Sequence, residues 1–482
     1  MTQKLANYIG GHPHAPRNGK YLDNFEPATG KVYSLIPDSG AEDIELAVQA
    51  AKTIFPWWSA RTAGQRSEVL YSIANKIEQY ASELAYAESK DQGKPLALAR
   101  ELEIPRAIHN FRFFASEILH QTEQAVHADA SETLNYTHRS PLGVAGLISP
   151  WNLPLYLLTW KIAPAIAAGN TVVCKPSELT PMTAYMLGEI LNEAGVPHGV
   201  VNIVFGRGAT AGAALTANPE VPILSFTGGT ATGRSVLTSA VPKFKKTSLE
   251  LGGKNAAVVF ADADVAEAAI QLVRSGFQNQ GEICLCNSRI FVEEKVYPEF
   301  VEKFSRYASL LRVGNPEDKE TNMGPLVSKE HKEKVQSYIE LAKKEGGKIA
   351  FGGDTPTLSD YFSGGYFLNP TVVTDLPHTA RCMQEEIFGP VVCIAPFKTE
   401  KEAIEFTNST EYGLSASLWT RDVSRAHRVA QALQVGTVWV NCWMVRDLRV
   451  PFGGMKASGL GREGGRHSLE FYTETKNICV KL

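Results

Sequence analysis

From residue 143 onward, segments typical of β-strands alternate with segments typical of helices, and this alternation restricts the fold more than any other feature. The first members of the series are predicted at Val144–Ile148, 160–168, 171–174 and 180–194. A second series begins near Ala256 and continues to about residue 450. Such alternation is typical of parallel sheets covered by helices on both faces. The sequence therefore predicts an α/β fold with two doubly wound domains.

Two outlying segments show the alternating pattern of strands without helices between them. In residues 125–140, Leu134, Tyr136 and His138 occupy every second position, which is typical of a β-hairpin. The last dozen residues alternate in the same way, so a small β-ribbon is predicted. Residues 1 to about 40 are expected to form a leader and turns, and helical periodicity follows them.

Composition and charge argue against several classes of protein. The 482 residues suggest about three domains, and the net charge of −3 offers no basic surface for nucleic acid. The most apolar stretch, 147–173, contains Asn152, Lys161 and three prolines, so it is not expected to span a membrane. The first residues lack the apolar run of a signal peptide, and the seven cysteines lack the spacing of disulfide or zinc sites. We therefore expect a cytoplasmic protein with reduced thiols, no metal, and no nucleic-acid or membrane partner.

One short stretch, residues 277–286, contains a candidate nucleophile. Cys284 follows a Gly-Glu pair between apolar neighbours, but free cysteines are often plain core residues, so this one alone decides nothing. Glu250 stands 34 residues upstream (284 − 250 = 34), before two glycines, and Asn152 lies between two prolines. A thiol, a carboxylate base and an amide donor are the groups that covalent carbonyl chemistry requires.

Six motifs in a fixed order resemble those of the aldehyde dehydrogenase superfamily, and the resemblance extends through essentially the whole chain. The motifs occupy residues 150–154, 226–233, 250–254, 277–286, 386–390 and 451–454. The resemblance implies that Cys284 attacks an aldehyde, that Asn152 holds the oxyanion and that Glu250 activates the hydrolytic water. It also implies a proton relay to that base through Lys161 and Glu463.

The resemblance also implies a domain organisation. An NAD-binding domain would comprise residues 1–121 and 142–251, and a catalytic domain would comprise residues 252–450. An oligomerisation ribbon would comprise residues 122–141 and 468–482. Since such ribbons form an inter-subunit sheet in the family, we expect a homodimer or a homotetramer.

NAD is the cofactor that the resemblance implies. A glycine-rich turn, 228–233, follows a predicted strand, and free amides at the next helix start favour an anion. Gly229 departs from the family, which often has serine there. Lys175 and Glu178 follow another strand; by themselves they fit an ion pair on a solvated loop equally well, but in the family they hold the adenosine ribose. A carboxylate there would repel the 2′-phosphate of NADP. The full set implied for the cofactor is Ile148, Trp151, Lys175, Glu178, Gly208, Phe226, Thr227, Gly228, Leu251, Glu386 and Phe388.

Two arginines distinguish the implied substrate tunnel. The tunnel positions are Arg106, Leu157, Trp160, Phe277, Leu285 and Arg446. Arg106 lies off the apolar stripe of its predicted helix and by itself would be interpreted as a solvated residue. Two arginines in a tunnel require an anionic partner, however, and a substrate carboxylate suits bidentate recognition. A carboxylate-bearing semialdehyde is therefore the expected substrate.

The surroundings of Cys284 and Arg446 are most similar to those of the muconic semialdehyde dehydrogenase subgroup. The 2-amino and 2-hydroxy semialdehydes are both open as substrates. If the arginines instead pair with Asp447 or Glu103, a broad-range aldehyde dehydrogenase is expected. Transfer of the acyl group to coenzyme A and a non-catalytic scaffold are further alternatives, against which the presence of Glu250 argues.

Overall fold

The computed structural model describes residues 2–482, and its larger sheet, here the first sheet, has eight strands. In spatial order they are Gly459–Leu460, Lys246–Glu250, Ile223–Thr227, Val144–Ile148, Thr171–Lys175, Val201–Ile203, Asn7–Ile9 and His12–His14. The five strands from Lys246–Glu250 to Val201–Ile203 are parallel, and their neighbours Gly459–Leu460 and Asn7–Ile9 are antiparallel to them. The edge strand His12–His14 is antiparallel to Asn7–Ile9. Val144–Ile148 pairs with both Thr171–Lys175 and Ile223–Thr227, so the strand order reverses beside it. Ligands bind beyond the carboxyl ends of strands at such a reversal.

The second sheet has seven strands. In spatial order they are Lys348–Phe351, Thr371–Thr374, Val391–Phe397, Arg289–Glu293, Ala256–Val259, Ser415–Trp419 and Thr437–Val440. Only Lys348–Phe351, at one edge, is antiparallel within this sheet. The near-continuous burial of the central strands is typical of a sheet with helices on both faces. The predicted α/β fold with two doubly wound units is confirmed.

Helices surround the two sheets. Of the two whose bounds were predicted above, one is longer than predicted and the other is shorter. They comprise Ala41–Ser59, Ala63–Gln79, Ala81–Gln92, Leu96–Leu98, Ile104–Glu117, Pro154–Ala167, Met182–Glu193, Ala213–Ala217, Thr230–Ala240, Val265–Phe277, Tyr297–Ser309, Lys329–Lys344, Arg381–Gln384, Glu400–Asn408, Val423–Ala432 and Gly465–Phe471. The helix predicted at 160–168 begins already at Pro154, whose fixed φ suits a first helical position. The helix predicted at 180–194 spans Met182–Glu193.

The predicted ribbon is present as a three-stranded antiparallel sheet. Thr133–Pro141 lies between Ala125–Ala128 and the C-terminal strand Thr473–Lys481. Most side chains on the two outer strands are exposed. The ribbon therefore presents two open strand edges, which can pair with a further strand.

The expectation of a leader and turns over residues 1–40 is wrong. Two of the five strands in this region complete the first sheet, and Gln3–Lys4, Tyr21–Glu26 and Lys31–Pro37 form a small sheet. These strands have two to seven residues and mixed burial, so they carry little periodicity. Their pairing is set at long range: the buried side chain of Asn7, for example, accepts a hydrogen bond from the Phe205 amide at 2.9 Å.

Within residues 2–482, no helix has the length and apolarity needed to cross a bilayer.

Candidate active site

Two adjoining cavities lie between the two sheets. On the side of the first sheet, they lie at the carboxyl ends of its strands. The first chamber, about 260 Å³, is lined by Trp151, Asn152, Thr227, Gly228, Glu250, Leu251, Cys284, His331, Lys334, Glu386 and Phe388, among others. The second chamber shares Leu157, Thr227, Glu250, Leu251 and Cys284 with the first and adds Tyr156, Trp160, Ile283, Leu285, Met444, Arg446, Phe452 and Glu463. Cys284 and Glu250 therefore lie at the junction of the two chambers.

The loop that carries Cys284 is held by the turn before it and by hydrogen bonds to its backbone carbonyls. Helix Val265–Phe277 ends in a turn in which Asn279 and Gln280 have φ values of 54° and 57°, in the left-handed region that costs energy for such residues. The side-chain amide of Asn255 donates to the carbonyl oxygens of Cys284, at 2.6 Å, and Cys286, at 3.1 Å. The thiol of Cys284 is thereby presented at a fixed place between the chambers.

Burial raises the pKa of the Cys284 thiol to about 12, and the negative charges of Glu386 and Glu250 act in the same direction. The positive charge of Arg446 opposes them. The thiol is therefore protonated at neutral pH in this structure, and its reaction as a thiolate requires that the proton leave.

Glu250 ends a buried strand of the first sheet, and its side chain is almost fully buried. Across the described chain, neither of its carboxylate oxygens has a hydrogen-bond partner. Burial, and then the nearby Glu463, raise its pKa well above the ordinary value, whereas Lys161 lowers it. A buried carboxyl group without fixed donors is suited to accept a proton from a water molecule or reacting group.

Lys161 and Glu463 form a buried ion pair, with Nζ and Oε1 3.1 Å apart. Trp160 Nε1 donates to the other oxygen of Glu463 at 2.6 Å, and Lys161 also donates to Ser225 Oγ at 2.8 Å. The pair lies close enough to Glu250 for each member to shift its pKa. The structure therefore brings together the three residues that the resemblance linked as a relay.

Asn152 precedes helix Pro154–Ala167 and lines the first chamber with Cys284. Its side-chain amide donates to the carbonyl oxygen of Glu282 at 2.8 Å, which leaves its second N–H free to donate. The amide therefore lies against the loop of the thiol, where an oxyanion formed on a bound carbonyl would need a donor.

The carboxyl edge of the first sheet has groups that a dinucleotide requires. Lys175 Nζ and Glu178 Oε2 are 2.6 Å apart just beyond a strand of the first sheet, and the Gly208 amide donates to the other oxygen of Glu178 at 3.3 Å. Apart from the adjoining backbone, no heavy atom of the described residues lies within 4 Å of a Cβ built at Gly208 or Gly229. Gly229 precedes helix Thr230–Ala240, whose first amides can therefore be approached by a phosphate.

The other end of the first chamber is aromatic and acidic. The rings of Trp151 and Phe388 meet edge to face, with centroids 5.3 Å apart, and Phe388 has a positive φ of 61°. Glu386 accepts from the Gly253 amide at 2.9 Å, and a Cβ at Gly252 would lie 2.2 Å from its Oε2. A flat ring and a ribose hydroxyl fit such surroundings. The remaining predicted cofactor positions, Ile148, Phe226, Thr227, Gly228 and Leu251, lie at or just after the ends of the adjoining strands.

Arg446 and Arg106 flank Tyr156 near the second chamber. The guanidinium carbon of Arg106 lies 5.3 Å from the Tyr156 ring centroid, and Arg446 Nη1 donates to the Tyr156 hydroxyl. The Arg446 guanidinium carbon also lies 4.3 Å from the Phe452 ring and 5.3 Å from the Trp160 ring. Aromatic faces can hold cations in place without neutralising their charge.

Neither arginine forms an ion pair within the part of the chain that the structure describes. Asp447, a possible partner, binds Arg449, and the carboxylate of Glu103 lies 3.5 Å from Lys94 Nζ. The Nη1 atom of Arg106 is buried and has no hydrogen-bond partner among residues 2–482. The pairing that would favour a broad-range enzyme is therefore not observed, and an anion bound beside the second chamber would have two available partners.

Phe277 was expected in the substrate tunnel, but the structure does not bring it to either chamber. It shares the buried face of helix Val265–Phe277 with Ala269 and Val273, and its ring centroid lies 5.9 Å from that of Phe304. Leu157, Trp160 and Leu285, also assigned to the tunnel, do line the second chamber.

Sequence reasoning missed several lining residues. They are His331 and Lys334 in the first chamber, and Tyr156, Ile283, Met444 and Phe452 in the second. His331 Nε2 lies 2.6 Å from the Phe388 carbonyl oxygen, and burial lowers its pKa to about 4, so it is neutral. His331 stands in an ordinary amphipathic helix, so only the tertiary structure reveals its place.

Comparison with known proteins gives a consistent result. The profile described as "Aldehyde dehydrogenase family" matches residues 14–478. A 2-aminomuconic semialdehyde dehydrogenase of Bos taurus is 55% identical over 479 residues, covering 99% of this chain and 98% of that protein. A 2-hydroxymuconic semialdehyde dehydrogenase of Pseudomonas sp. (strain CF600) is 45% identical over 485 residues and is fully covered. The crystal structure of a betaine aldehyde dehydrogenase from Staphylococcus aureus in complex with NAD+ superimposes with a TM-score of 0.96 at 36% identity, covering 99% of this chain and 94% of that one.

Proposed function

The chain belongs to the aldehyde dehydrogenase family, and on that premise we propose that it oxidises 2-aminomuconic 6-semialdehyde to 2-aminomuconate with NAD as the hydride acceptor. The observation that carries the choice of substrate is the pair Arg106 and Arg446, two guanidinium groups beside the Cys284 chamber without an ion pair in residues 2–482. A carboxylate at the far end of an aldehyde would supply the missing anion. The name of the Bos taurus relative supports the same substrate class.

Cys284 is the proposed nucleophile. As its sulfur attacks the aldehyde carbon, the thiol proton passes to a water molecule and the carbonyl oxygen becomes an oxyanion, which the Asn152 amide and the Cys284 backbone N–H would hold. A good donor of this kind contributes about 3–4 kcal/mol to the stability of the transition state. Because the Glu282 carbonyl already binds one N–H of Asn152, the amide is oriented before the reaction begins.

NAD, when bound, supplies the acceptor for the hydride that leaves the adduct on Cys284. Lys175 and Glu178 would bind the adenosine ribose, and the carboxylate of Glu178 would disfavour NADP. Trp151, Glu386 and Phe388 would bind the nicotinamide end. The open approach at Gly229 and the Lys175–Glu178 pair support this placement.

Glu250 is the proposed base for the second half of the reaction. Loss of the hydride leaves a thioester on Cys284, and Glu250 would take a proton from the water that attacks it. The raised pKa of Glu250 suits this step, because a stronger base removes the proton more readily. Lys161 and Glu463 would then carry the proton away, a role that their contacts with Ser225 and Trp160 support.

The 2-hydroxy analogue is the second candidate substrate. It carries the same carboxylate for Arg106 and Arg446, and the Pseudomonas relative, named for that substrate, is 45% identical. The two substrates differ only in the amino or hydroxyl group next to this carboxylate. The choice of the 2-amino substrate therefore rests on the higher identity to the 2-aminomuconic relative.

The assembly is part of the proposal. We infer a homodimer or homotetramer formed through the ribbon, whose outer strands have free edges and exposed apolar residues such as Val126 and Val480. A cytoplasmic location is proposed because the seven cysteines are free in the described chain and the chemistry needs a reduced thiol.

The test is an NADH-formation assay with three aldehydes: 2-aminomuconic semialdehyde, 2-hydroxymuconic semialdehyde and a simple aliphatic aldehyde, each with and without coenzyme A. The muconic substrates should have the higher kcat/KM, without a requirement for coenzyme A. Cys284→Ser should abolish NADH formation and keep NAD affinity, whereas Cys286→Ser is the matched control with an intact nucleophile. Activity of Cys284→Ser within about tenfold of the wild type would mean that the nucleophile is misplaced.

A further inference from the structure

The turn at residues 92–94 joins the loop of the proposed oxyanion donor to the loop of the proposed nucleophile. Lys94 is completely buried, and its ammonium group donates to the backbone carbonyl of Asn152 at 3.2 Å. Two residues earlier, Gln92 Nε2 donates to Glu282 Oε2 at 2.6 Å. Glu282 is two residues from Cys284, so one short segment contacts both sides of the reaction centre.

Further hydrogen bonds connect the two loops to each other. Glu282 accepts on its carbonyl from the side-chain amide of Asn152, at 2.8 Å, and on its Oε1 from the Val327 amide, at 3.1 Å. Asn279 Nδ2 also donates to the Asn152 carbonyl at 3.2 Å. Asn152 is thus held at its backbone by Lys94 and Asn279 and at its side chain by Glu282.

The 92–94 turn itself has little freedom to move. Gly93 has a φ of +92°, and a Cβ there would lie 2.8 Å from both Cγ and the carbonyl oxygen of Pro325. A Cβ at Gly324 would lie 1.8 Å from the Gly93 carbonyl oxygen. The Lys94 amide donates to Gln92 Oε1 at 3.0 Å, so the side chain of Gln92 links its own turn to Glu282.

Two buried carboxylates fix the ammonium group of Lys94. Its Nζ lies 3.3 Å from Glu88 Oε1 and 3.5 Å from Glu103 Oε2, and all three side chains have zero exposure. A buried lysine held between two carboxylates is costly to displace, because each charge would lose its partner in a low-dielectric interior. The ion cluster therefore gives the Asn152 carbonyl a rigid support.

We propose that Gln92 and Lys94 are positioning residues that set the amide of Asn152 against the thiol of Cys284. The inference rests on the proposed function, in which Asn152 stabilises the oxyanion. Displacement of a reacting group by about 1 Å can lower a rate about a hundredfold, so small shifts of this turn have large kinetic effects. Neither residue lines either chamber, and both act through Asn152 and Glu282.

The test is a double-mutant cycle on the rate of the first NADH burst with the semialdehyde substrate. Lys94→Met should lower that rate by about ten- to a hundredfold. In the Asn152→Ala background, where the donor is already absent, the same substitution should cost less than about threefold. Gln92→Met leaves the ion cluster intact and should also cost much more in the wild-type background than in the Asn152→Ala background. If Lys94→Met does not fold, the Gln92→Met result alone tests the inference.

Two further measurements separate positioning from general damage. Alkylation of Cys284 by iodoacetamide develops no oxyanion, so its rate should stay within about twofold in both variants. Lys90→Met removes a lysine from helix Ala81–Gln92, which ends at Gln92; it faces the rings of Tyr33 and Tyr86, and its loss should leave the burst unchanged. Equal fold losses in the two backgrounds, or a parallel fall in alkylation, would overturn the inference. An unimpaired burst in Asn152→Ala itself would instead refute the proposed role of Asn152.

Discussion

Replacement of Arg106 or Arg446 by alanine should affect a semialdehyde acid much more than an uncharged aldehyde. Both guanidinium groups are held by aromatic faces, those of Tyr156, Trp160 and Phe452, and neither has an ion pair in the part of the chain that the structure describes. A substrate carboxylate would therefore meet two charged donors, of which Arg446 also donates to the hydroxyl of Tyr156. Loss of either arginine removes a contact with the carboxylate of the semialdehyde acid. The uncharged aldehyde has no such contact to lose.

The expected magnitude follows from the type of contact. A hydrogen bond to a charged group contributes about 1.5–3 kcal/mol, which corresponds to an increase in KM of about ten- to a hundredfold. Arg446 has a second effect, because its charge also lowers the pKa of Cys284 and Glu250. Arg446→Ala should therefore lower kcat on both substrates, and Arg106→Ala is the more selective variant.

The assay measures KM and kcat for both variants with the semialdehyde acid and with an aliphatic aldehyde. Arg112→Ala and Arg449→Ala are matched controls, since these arginines lie on the same helix and the same loop but are paired with Glu78 and Asp447. The ratio of kcat/KM for the two substrates should fall for the test variants and stay constant for the controls. If both substrates lose equally, the arginines serve the fold and the carboxylate hypothesis is refuted.

The carboxylates of the site give three more expected results. Glu250→Ala should keep the NADH burst but trap an acyl adduct on Cys284, because the water is no longer activated; normal turnover without an adduct in mass spectrometry would rule out that role. Glu178→Gln should narrow the kcat/KM preference for NAD over NADP, because the charge that repels a 2′-phosphate is removed; an unchanged preference would place the discrimination elsewhere. Glu463→Gln should move the acid limb of the kcat–pH profile to lower pH, because the Glu463 charge raises the pKa of Glu250 and its loss lets that base ionise earlier. Ser225→Ala, which contacts the same carboxylate without a change of charge, is the control, and an acid limb that stays in place contradicts the coupling.

The parts of the site that the sequence predicted lie where chain direction determines position. Glu250 and Thr227 end adjacent parallel strands, and Asn152 follows the next strand across the sheet, so a correct strand order brings them to one edge. The βα alternation carries that order in its residue pattern. The same argument explains why the two doubly wound units could be predicted from the sequence.

The error at Phe277 has a different origin, because position relative to a motif does not determine which way a helical side chain points. Ala269, Val273 and Phe277 recur at intervals of four residues and are all buried, so the helix period already placed Phe277 in the core. Arg106 is the opposite case. It lies off an apolar stripe, as a solvated arginine would, but Tyr156 from a helix 50 residues away (156 − 106 = 50) covers it.

The site contains buried polar groups without partners in the described chain, which lower the stability of the folded protein. Both oxygens of Glu250 and the Nη1 of Arg106 are buried without a hydrogen-bond partner in residues 2–482, and such groups cost free energy unless a ligand or water satisfies them. Their signs and places differ: the carboxyl group lies beside the thiol, and the guanidinium lies beside Tyr156, which lines the second chamber. A substrate with a carboxylate at one end and an electrophilic carbon at the other would satisfy the cation and place its reactive carbon near the thiol and the base. The binding of the remote carboxylate can therefore contribute to orientation at the carbon that reacts.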